Sequence, residues 1–402
     1  MKQSGIDWIG EIPDDWKTRQ IRYLFSLRDE RNYKPLSEVN LISVYTDKGV
    51  LQHSDIEQTT GNKAQNADGY KYVYKNDLVV NIILCWMGAL GISDFDGVTS
   101  PAYDVYAPKD LNTILPKYYH YLFRTSQFNG KCYTEGRGIM QMRWRTYSSE
   151  FKSIKVPLPP KATQERIAEY LDSKCAQIDS IIEESKKSIE EYKALKQSVI
   201  VEAVTGKNQN CKKKDSGIEW IGEIPEGWDV CQIKRFADLY NGREIEDEVS
   251  KSENVIDVYG SGGVFKYTTK FIFDGEAVLF GRKGSIGKPL YVKGKFWTVD
   301  TMYFSTCKNN IADNKYLYHL LKVFPWDIYM TKTALPSIVG SEIFNTFVAI
   351  PPLLEQKSIT KMLDSKCAQI DSLIAEKESL IADLTEYKKS LIFEVVTGKR
   401  SV

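Results

Sequence analysis

The sequence has few of the residues that build catalytic or metal centres. Its 402 residues include only three histidines, and no two of them have the spacing of a helical metal site. The seven cysteines contain no Cys-x-x-Cys pair, so we expect reduced, mostly structural thiols. The carboxylates are not grouped as in a metal-dependent nuclease, and the Asn/Asp-Pro-Pro-aromatic stretch of amino-methyltransferases is absent. The sequence offers no convincing catalytic constellation.

Long apolar runs and an excess of one charge are also missing. The most apolar stretch, Val79 to Ile92, contains Asn81 and is too short to span a bilayer. Met1 to Trp16 is polar and acidic and does not resemble a signal peptide. We therefore expect a soluble, cytoplasmic protein without a membrane partner. The net charge of +1 excludes no partner class, because basic residues can be concentrated on one face.

Two stretches of the sequence occur twice. Leu171–Ser180 returns unchanged 192 residues later as Leu363–Ser372, and the segment after each copy ends in Val-Thr-Gly-Lys. Ser4–Trp16 matches Ser216–Trp228 at an offset of 212. This pattern indicates an internal duplication whose second half has lost 20 residues between its repeats. The flanks are nearly identical while the middles, 17–156 and 229–348, differ, so a shared frame carries two divergent modules.

Both middles are predicted to be mixed, β-rich structure followed by a short helix. The short helices are expected at Lys117–Thr125 and Asn314–Val323. The predicted strands lie between Gly, Pro and Asp-Gly turns, at 70–74, 78–84 and 103–106 in the first middle and at 265–273, 277–280, 290–292 and 297–304 in the second. The duplicated pairs Trp8/Trp16 and Trp220/Trp228 are predicted to be packing anchors, because both halves share their context.

Each duplicated decapeptide lies early in a long helical segment with heptad spacing. In the second segment one predicted seam row is Leu363, Ile370, Lys377, Leu384 and Leu391, and the other is Leu373, Leu380 and Tyr387. The first segment has equivalent rows, 171, 178, 185, 192 and 199 beside 181, 188 and 195. The eight-residue linker 208–215 reaches only about 28 Å, which favours an antiparallel coiled coil.

The predicted fold class is α+β, with a pseudo-twofold internal repeat. Two mixed α/β modules are separated by two long antiparallel helices that form a coiled coil. The predicted domains are 1–156 for the first module, 157–207 for the first helix, 208–349 for the second module and 350–402 for the second helix.

Two features could suggest catalysis but have ordinary structural explanations. Gly281–Lys288 resembles a phosphate-binding P-loop, but its first glycine is misplaced and Pro289 replaces the hydroxyl residue. A basic turn facing DNA phosphates is the better interpretation. His120 and His319 lie among tyrosines in the predicted short helices and are interpreted as satisfied, partly buried histidines.

Basic loops are better candidates, and they point to nucleic acid. Residues 17–156 hold 19 Lys and Arg against 14 Asp and Glu. Arg and Gln can read guanine and adenine edges, while neighbouring basic residues hold phosphates. In the first module the candidate DNA contacts are Arg137, Gln141, Arg143 and Arg145. In the second module the candidates form two separate groups, Arg282, Lys283 and Ser285, and Lys332, Thr333 and Ser337.

The duplicated motifs resemble the specificity subunit of type I restriction-modification systems over the entire chain. The resemblance rests on Ser-Gly-Ile-Asp/Glu-Trp-Ile-Gly-Glu-Ile-Pro at the start of each half, Pro351–Gln356, the duplicated decapeptide and the Val-Thr-Gly-Lys endings. One departure is Thr163, which stands where the second copy has Glu355.

The resemblance implies a non-catalytic DNA-recognition subunit. Each middle would be a target-recognition domain that reads one half of an asymmetric, split site in double-stranded DNA. The helices would set the gap and bind two modification (methyltransferase) subunits. This chain would bind no cofactor, whereas the methyltransferase subunits would use S-adenosylmethionine and restriction subunits would use ATP and Mg²⁺. The alternative is a coiled-coil scaffold that assembles enzymes without binding DNA, and a nuclease or methyltransferase with unrecognised motifs comes third.

Overall fold

The computed structural model describes residues 1–55, 66–138, 144–253, 255–308 and 310–402. These residues form two units. The first contains Met1–Ser185 and Ser379–Val402, and the second contains Lys186–Glu378. Both boundaries fall inside long helices, so each unit combines one module with the start of one helix and the end of the other.

The first unit contains twelve described strands and the elements α1 to α5, the last of which continues into the second unit. The strands are β1 (Lys2–Gln3), β2 (Glu11–Ile12), β3 (Lys17–Gln20), β4 (Phe25–Arg28), β5 (Ile42–Tyr45), β6 (Gly49–Gln52), β7 (Lys71–Val73), β8 (Leu78–Asn81), β9 (Leu90–Ile92), β10 (Gly97–Thr99), β11 (Tyr103–Pro108) and β12 (Lys155–Leu158). The helices are α1 (Ile21–Leu24), α2 (Pro116–Phe123), α3 (Ser126–Glu135), α4 (Ser148–Phe151) and α5 (Lys161–Thr205).

A four-stranded antiparallel sheet, in the order β4-β11-β8-β9, is the centre of the first module. Leu78, Val79 and Val80 are buried on both faces of the sheet, which explains their continuous apolar run. The predicted strand 78–84 ends at Asn81 because the Asn81 Oδ1 atom accepts a hydrogen bond from the Ile83 backbone N–H at 3.1 Å and turns the chain. Predicted helix 117–125 is confirmed as α2, whose buried residues pack into the main core.

The second unit contains the remaining elements. Its strands are β13 (Lys213–Asp215), β14 (Glu223–Pro225), β15 (Asp229–Gln232), β16 (Ala237–Asn241), β17 (Ile256–Gly260), β18 (Gly263–Thr268), β19 (Phe273–Gly281), β20 (Leu290–Thr298), β21 (Met302–Cys307) and β22 (Phe347–Ile350). Its helices are α6 (Asn314–Lys322), α7 (Trp326–Tyr329), α8 (Gly340–Asn345) and α9 (Leu353–Val396), which continues into the first unit.

The second module has a larger sheet of six strands, in the order β16-β21-β19-β20-β17-β18. Its described strand pairs are antiparallel except for β17 with β20. The prediction of one strand over 297–304 is wrong, because β20 ends at Thr298 and β21 begins at Met302 after a turn closed by a hydrogen bond from the Met302 N–H to the Val299 carbonyl. The predicted helix 314–323 is confirmed as α6.

A buried glutamine joins each long helix to its module in the same way. The Gln164 side chain accepts a hydrogen bond from the Leu115 N–H at 2.8 Å and donates to the Thr113 and Pro159 carbonyls. Gln356 repeats this arrangement with Asp313, Ile311 and Pro351. Both glutamines are fully buried, so their hydrogen bonds replace those that water would otherwise make to six backbone groups.

The predicted tryptophan anchors close each module onto the end of a long helix. In the first unit, Trp16 and Pro13 contact Gly398 at the end of α9, and Gly398 has a φ of +72°. In the second unit, Trp228 and Pro225 contact Gly206, whose φ is +70°. A Cβ atom at either glycine would overlap the proline ring, and the left-handed backbone also favours glycine. These contacts explain why Val-Thr-Gly-Lys recurs with the tryptophan motif.

Within each unit the two helical segments are antiparallel. In the first unit, Lys388 of α9 donates to the Asp179 carboxylate of α5 at 2.6 Å, and in the second unit Lys196 donates to Asp371 at the same distance. Both aspartates belong to the duplicated decapeptide. Exposed ion pairs of this kind contribute little stability, about 0–1 kcal/mol, so their main consequence is to favour one register.

The heptad prediction was right for one row of side chains and wrong for the other. Leu363, Ile370 and Leu391 are buried, as predicted, but Leu373, Leu380 and Tyr387 are 41%, 38% and 46% exposed. The second buried row lies one residue further on and includes Cys175, Ile189, Cys367 and Val395. A shift of one residue rotates a position by about 100° around the helix, which moves it from the seam to the surface.

Candidate nucleic-acid interface

The basic cluster of the first module lies on a loop closed by backbone pairing. The Arg137 N–H donates to the Arg145 carbonyl at 2.9 Å, and the Arg145 N–H donates to the Arg137 carbonyl at 3.1 Å. Both side chains are exposed. Gln141 and Arg143, the other two predicted contacts, lie outside the described residues. The structure therefore shows the base of this loop, with an arginine on each side.

The two arginines at the base of this loop have different surroundings. The Arg137 guanidinium forms an ion pair with Glu150 of α4 and lies 5.5 Å from the centre of the Tyr147 ring, yet its side chain remains 67% exposed. Hydrogen bonding from Ser149, together with the charge of Arg137, lowers the pKa of Glu150 and keeps its carboxylate ionised. A phosphate that binds Arg137 must therefore compete with an existing carboxylate, while Arg145 is exposed next to it.

An aromatic stack that the sequence analysis missed supports this loop. Trp144 stacks on Tyr133 of α3 with ring centres 5.0 Å apart, and its indole N–H donates to the Tyr133 carbonyl at 3.0 Å. Trp86 also packs against Tyr133, with ring centres 5.4 Å apart and the ring planes tilted by 59°. A side chain at Gly136 would overlap the Trp144 indole. The position of Trp144 between two arginines could have indicated this packing role, because an aromatic ring in a basic loop anchors the loop to the protein surface.

In the second module the two separate candidate groups are brought together. The Gly284 N–H donates to the Pro336 carbonyl at 3.1 Å, and Lys283 and Ser337 form an isolated β-bridge. The Ile338 N–H donates to the Arg282 carbonyl at 3.0 Å. Sequence analysis could not predict this meeting, because about 50 residues separate the loops and long-range strand pairing brings them together.

Two of the second module's predicted polar contacts use their hydroxyl groups inside the loop. The Thr333 Oγ1 donates to the Leu335 carbonyl at 2.8 Å, and the Ser337 hydroxyl lies 3.1 Å from the Thr331 hydroxyl. These hydrogen bonds hold the loop in shape. Lys283, Ser285 and Lys332 are exposed, whereas Arg282 is half-buried with its guanidinium 5.7 Å from the Tyr303 ring centre.

The candidate loops of the two modules occupy equivalent places in the fold. The residue after each loop is hydrogen-bonded to the residue after a strand of the main sheet. In the first module the Thr146 N–H donates to the carbonyl of Ile82, which follows β8, at 3.0 Å, and in the second the Ile338 N–H donates to the carbonyl of Arg282, which follows β19. Each loop leads into a short helix, α4 or α8. One loop carries arginines and the other carries lysine with small hydroxyl and apolar residues, so equivalent positions present different chemistry.

The two helical histidines correct one detail of the sequence analysis. Burial lowers the pKa of both His120 and His319 to about 4, so both are neutral at pH 7. His319 is buried, and its ring nitrogens have no hydrogen-bond partner among the described residues. It is therefore not the satisfied histidine that was expected. Its Nε2 atom lies 3.7 Å from Asp364. Within the described ranges no group of three or more His, Cys, Asp or Glu side chains could hold a metal ion.

Comparison with known proteins identifies the family of this chain. The family described as "Type I restriction modification DNA specificity domain" matches residues 13–191 and 225–381, that is, both halves. The chain belongs to this family. The type I restriction enzyme MjaVIII specificity subunit of Methanocaldococcus jannaschii is 25% identical over 96% of this chain and 93% of that protein. A putative MjaX specificity subunit of the same organism is 24% identical over 97% and 95%.

Solved structures of specificity subunits have the same fold. A chain from work on complex assembly and conformational transition of the type I R-M system superposes with a TM-score of 0.75 at 13% identity, covering 97% of this chain and 100% of that one. The HsdS subunit from Thermoanaerobacter tengcongensis superposes with a TM-score of 0.59 at 14% identity, covering 97% and 98%. The predicted family and fold class are confirmed.

This specificity subunit recognises DNA as part of a type I restriction-modification complex. The family match on both halves corresponds to the duplication seen in the sequence. In the part of the specificity subunit that the structure describes, none of the helices is both long and apolar enough to cross a membrane.

Proposed function

We propose that each module reads one half of an asymmetric, bipartite DNA site and that the long helices set the gap between the halves. The observation that carries this proposal is the pair of equivalent loops with different side chains. The glutamine joints, tryptophan anchors and interhelical ion pairs are the same in both units. The two loops lie at equivalent places but carry different side chains. A palindromic target would call for identical loops.

We propose different tasks for the candidate residues on the basis of their charge and surroundings. Arg137 and Arg145 can donate two hydrogen bonds each to guanine or to a phosphate, and Gln141 and Arg143 remain sequence predictions for the same loop. In the second module Lys283 and Lys332 bind phosphates, and Ser285 is exposed beside them. Arg282, Thr333 and Ser337 act mainly by holding these loops in position.

The exposed apolar row on the long helices is the proposed docking surface for two methyltransferase subunits. In the first unit it includes Ile181, Leu380 and Tyr387, and in the second Leu195 and Leu373. Apolar side chains repeated at heptad spacing on the outside of a helix pair are suited to helices of a partner protein.

Catalysis and cofactors belong to the partners in this proposal. The specificity subunit itself is non-catalytic and needs no cofactor, the methyltransferase subunits bind S-adenosylmethionine, and restriction subunits bring ATP and Mg²⁺. Since its relatives come from archaea and bacteria, in which the DNA is cytoplasmic, we propose that it works in the cytoplasm.

Exchanging a single module tests the reading of half-sites. Residues 17–156 are replaced by the corresponding module of a specificity subunit with a different target, and methylated adenines are mapped in DNA exposed to the assembled complex. One half of the site should change, while the other half and the gap stay as they are. The matched control exchanges 229–348 and should change only the opposite half. Loss of both halves in either exchange would contradict modular reading.

A further inference from the structure

The second module's candidate loop exposes an apolar residue at the place where DNA contact is proposed. Leu335 is 62% exposed and lies in the loop 331–337, between Lys332 and the residues that pair with Lys283. Leucine is one of the residues most often buried, so exposing it in this loop gives up the free energy of burial in the free protein. A partner surface that covers Leu335 would recover it.

Hydrogen bonds hold the backbone on both sides of Leu335. The Thr331 N–H donates to the Ser337 carbonyl at 3.0 Å, and the Ser337 N–H donates to the Thr331 Oγ1 atom at 3.0 Å, which closes the loop. The Leu335 carbonyl accepts the Thr333 hydroxyl, and Pro336 restricts the backbone of Leu335. The side chain is therefore presented from a fixed backbone, which lowers the entropy lost when it binds.

Positive charge next to the loop indicates what the partner is. Lys283 and Lys332 are both exposed, and the hydrogen bond from the Gly284 N–H to the Pro336 carbonyl keeps the loop of Lys283 beside Leu335. Two cations flanking an apolar side chain match a DNA groove, where phosphates border the base edges. The one apolar group that base pairs present in the major groove is the 5-methyl group of thymine.

We propose that Leu335 contacts the 5-methyl group of a thymine in the half-site read by the second module, while Lys283 and Lys332 bind flanking phosphates. This inference rests on the proposed function. It makes Leu335 a specificity-determining residue that was absent from the sequence candidates, because a single leucine between Ala334 and Pro336 carries no sign of DNA contact by itself. Thymine is preferred over cytosine at this position, because cytosine lacks the methyl group.

Deoxyuridine substitution tests the proposal, because it removes the methyl group and leaves base pairing intact. The complete complex with its methyltransferase subunits is used, and each thymine of the second half-site is replaced singly. With the unaltered complex, one replacement should weaken binding about fourfold, as expected for transfer of one methyl-sized group. Leu335→Ala should weaken binding to thymine DNA by a similar factor and make the complex insensitive to that replacement. Leu111→Ala, at a leucine of the first module that is 51% exposed, should leave the methyl dependence intact.

The outcomes separate this inference from the function on which it rests. Specific binding without methyl dependence at any thymine of the half-site would overturn the role of Leu335 and leave DNA recognition standing. The same conclusion follows if Leu335→Ala weakens thymine and deoxyuridine DNA equally, or if the half-site contains no thymine. A complex that shows no preference among duplexes would instead overturn the proposed function.

Discussion

Replacing Trp144 with alanine should weaken recognition of the first half-site while the module remains folded. The substitution removes the stack on Tyr133 and the hydrogen bond from the indole to the Tyr133 carbonyl. Each interaction contributes about 0.5–1.5 kcal/mol, so the loop loses about 1–3 kcal/mol of its ordering free energy. If DNA binds only the ordered loop, the free energy of DNA binding weakens by at most this 1–3 kcal/mol, which corresponds to a fall in affinity of about 5- to 150-fold.

Binding of the assembled complex to duplexes with one intact and one scrambled half-site measures this effect. Trp144→Ala should reduce discrimination at the first half-site and leave the second unchanged. Trp144→Phe keeps the ring and loses the N–H, so about half of the free-energy loss is expected. Circular dichroism and thermal unfolding of the variants separate a local effect from global unfolding. Discrimination at the first half-site equal to that of the unaltered complex would refute the positioning role of Trp144.

Two further predictions concern the frame. Gln356→Leu removes the side-chain partner of three backbone groups, one of them buried and two partly buried, and should destabilise the second unit by about 2–5 kcal/mol in denaturant unfolding. An unchanged unfolding midpoint would show that the joint is not structural. Leu380→Glu should abolish co-purification with the methyltransferase subunits, because it places a charge on the exposed apolar row. The control Ser379→Glu adds the same charge at the neighbouring exposed position and should leave co-purification unchanged. Equal binding by both variants would exclude this row as the docking surface.

The sequence was most informative where the two halves are the same. Duplicated residues predicted the long helices, the tryptophan anchors and the frame, because each of these depends on local periodicity or on repeated contacts. The missed row of the coiled coil shows the limit of periodicity. Leu373 and Ile374 are adjacent and both apolar, so only the packing of the partner helix decides which of the two faces the seam.

The candidate site was predicted only in outline. Basic residues identified both loops, yet the meeting of Lys283 with Ser337 depends on long-range sheet pairing that no local pattern encodes. The engagement of the Thr333 hydroxyl inside its loop, and the exposure of Leu335 beside it, follow from backbone conformation. Composition indicated two basic loops as candidates for DNA contact, and geometry was needed to distinguish residues that hold a loop from residues whose side chains are exposed.

Lengthening both long helices by one heptad tests the central claim most directly. Seven residues at 1.5 Å each add about 10 Å, which is about three base pairs at 3.4 Å per base pair. Insertion at equivalent positions of α5 and α9 preserves the seam, because the heptad repeat is unchanged. Methylation mapping with the assembled complex should then find both half-sites intact and the gap wider by about three base pairs. An active complex with an unchanged gap would contradict the account.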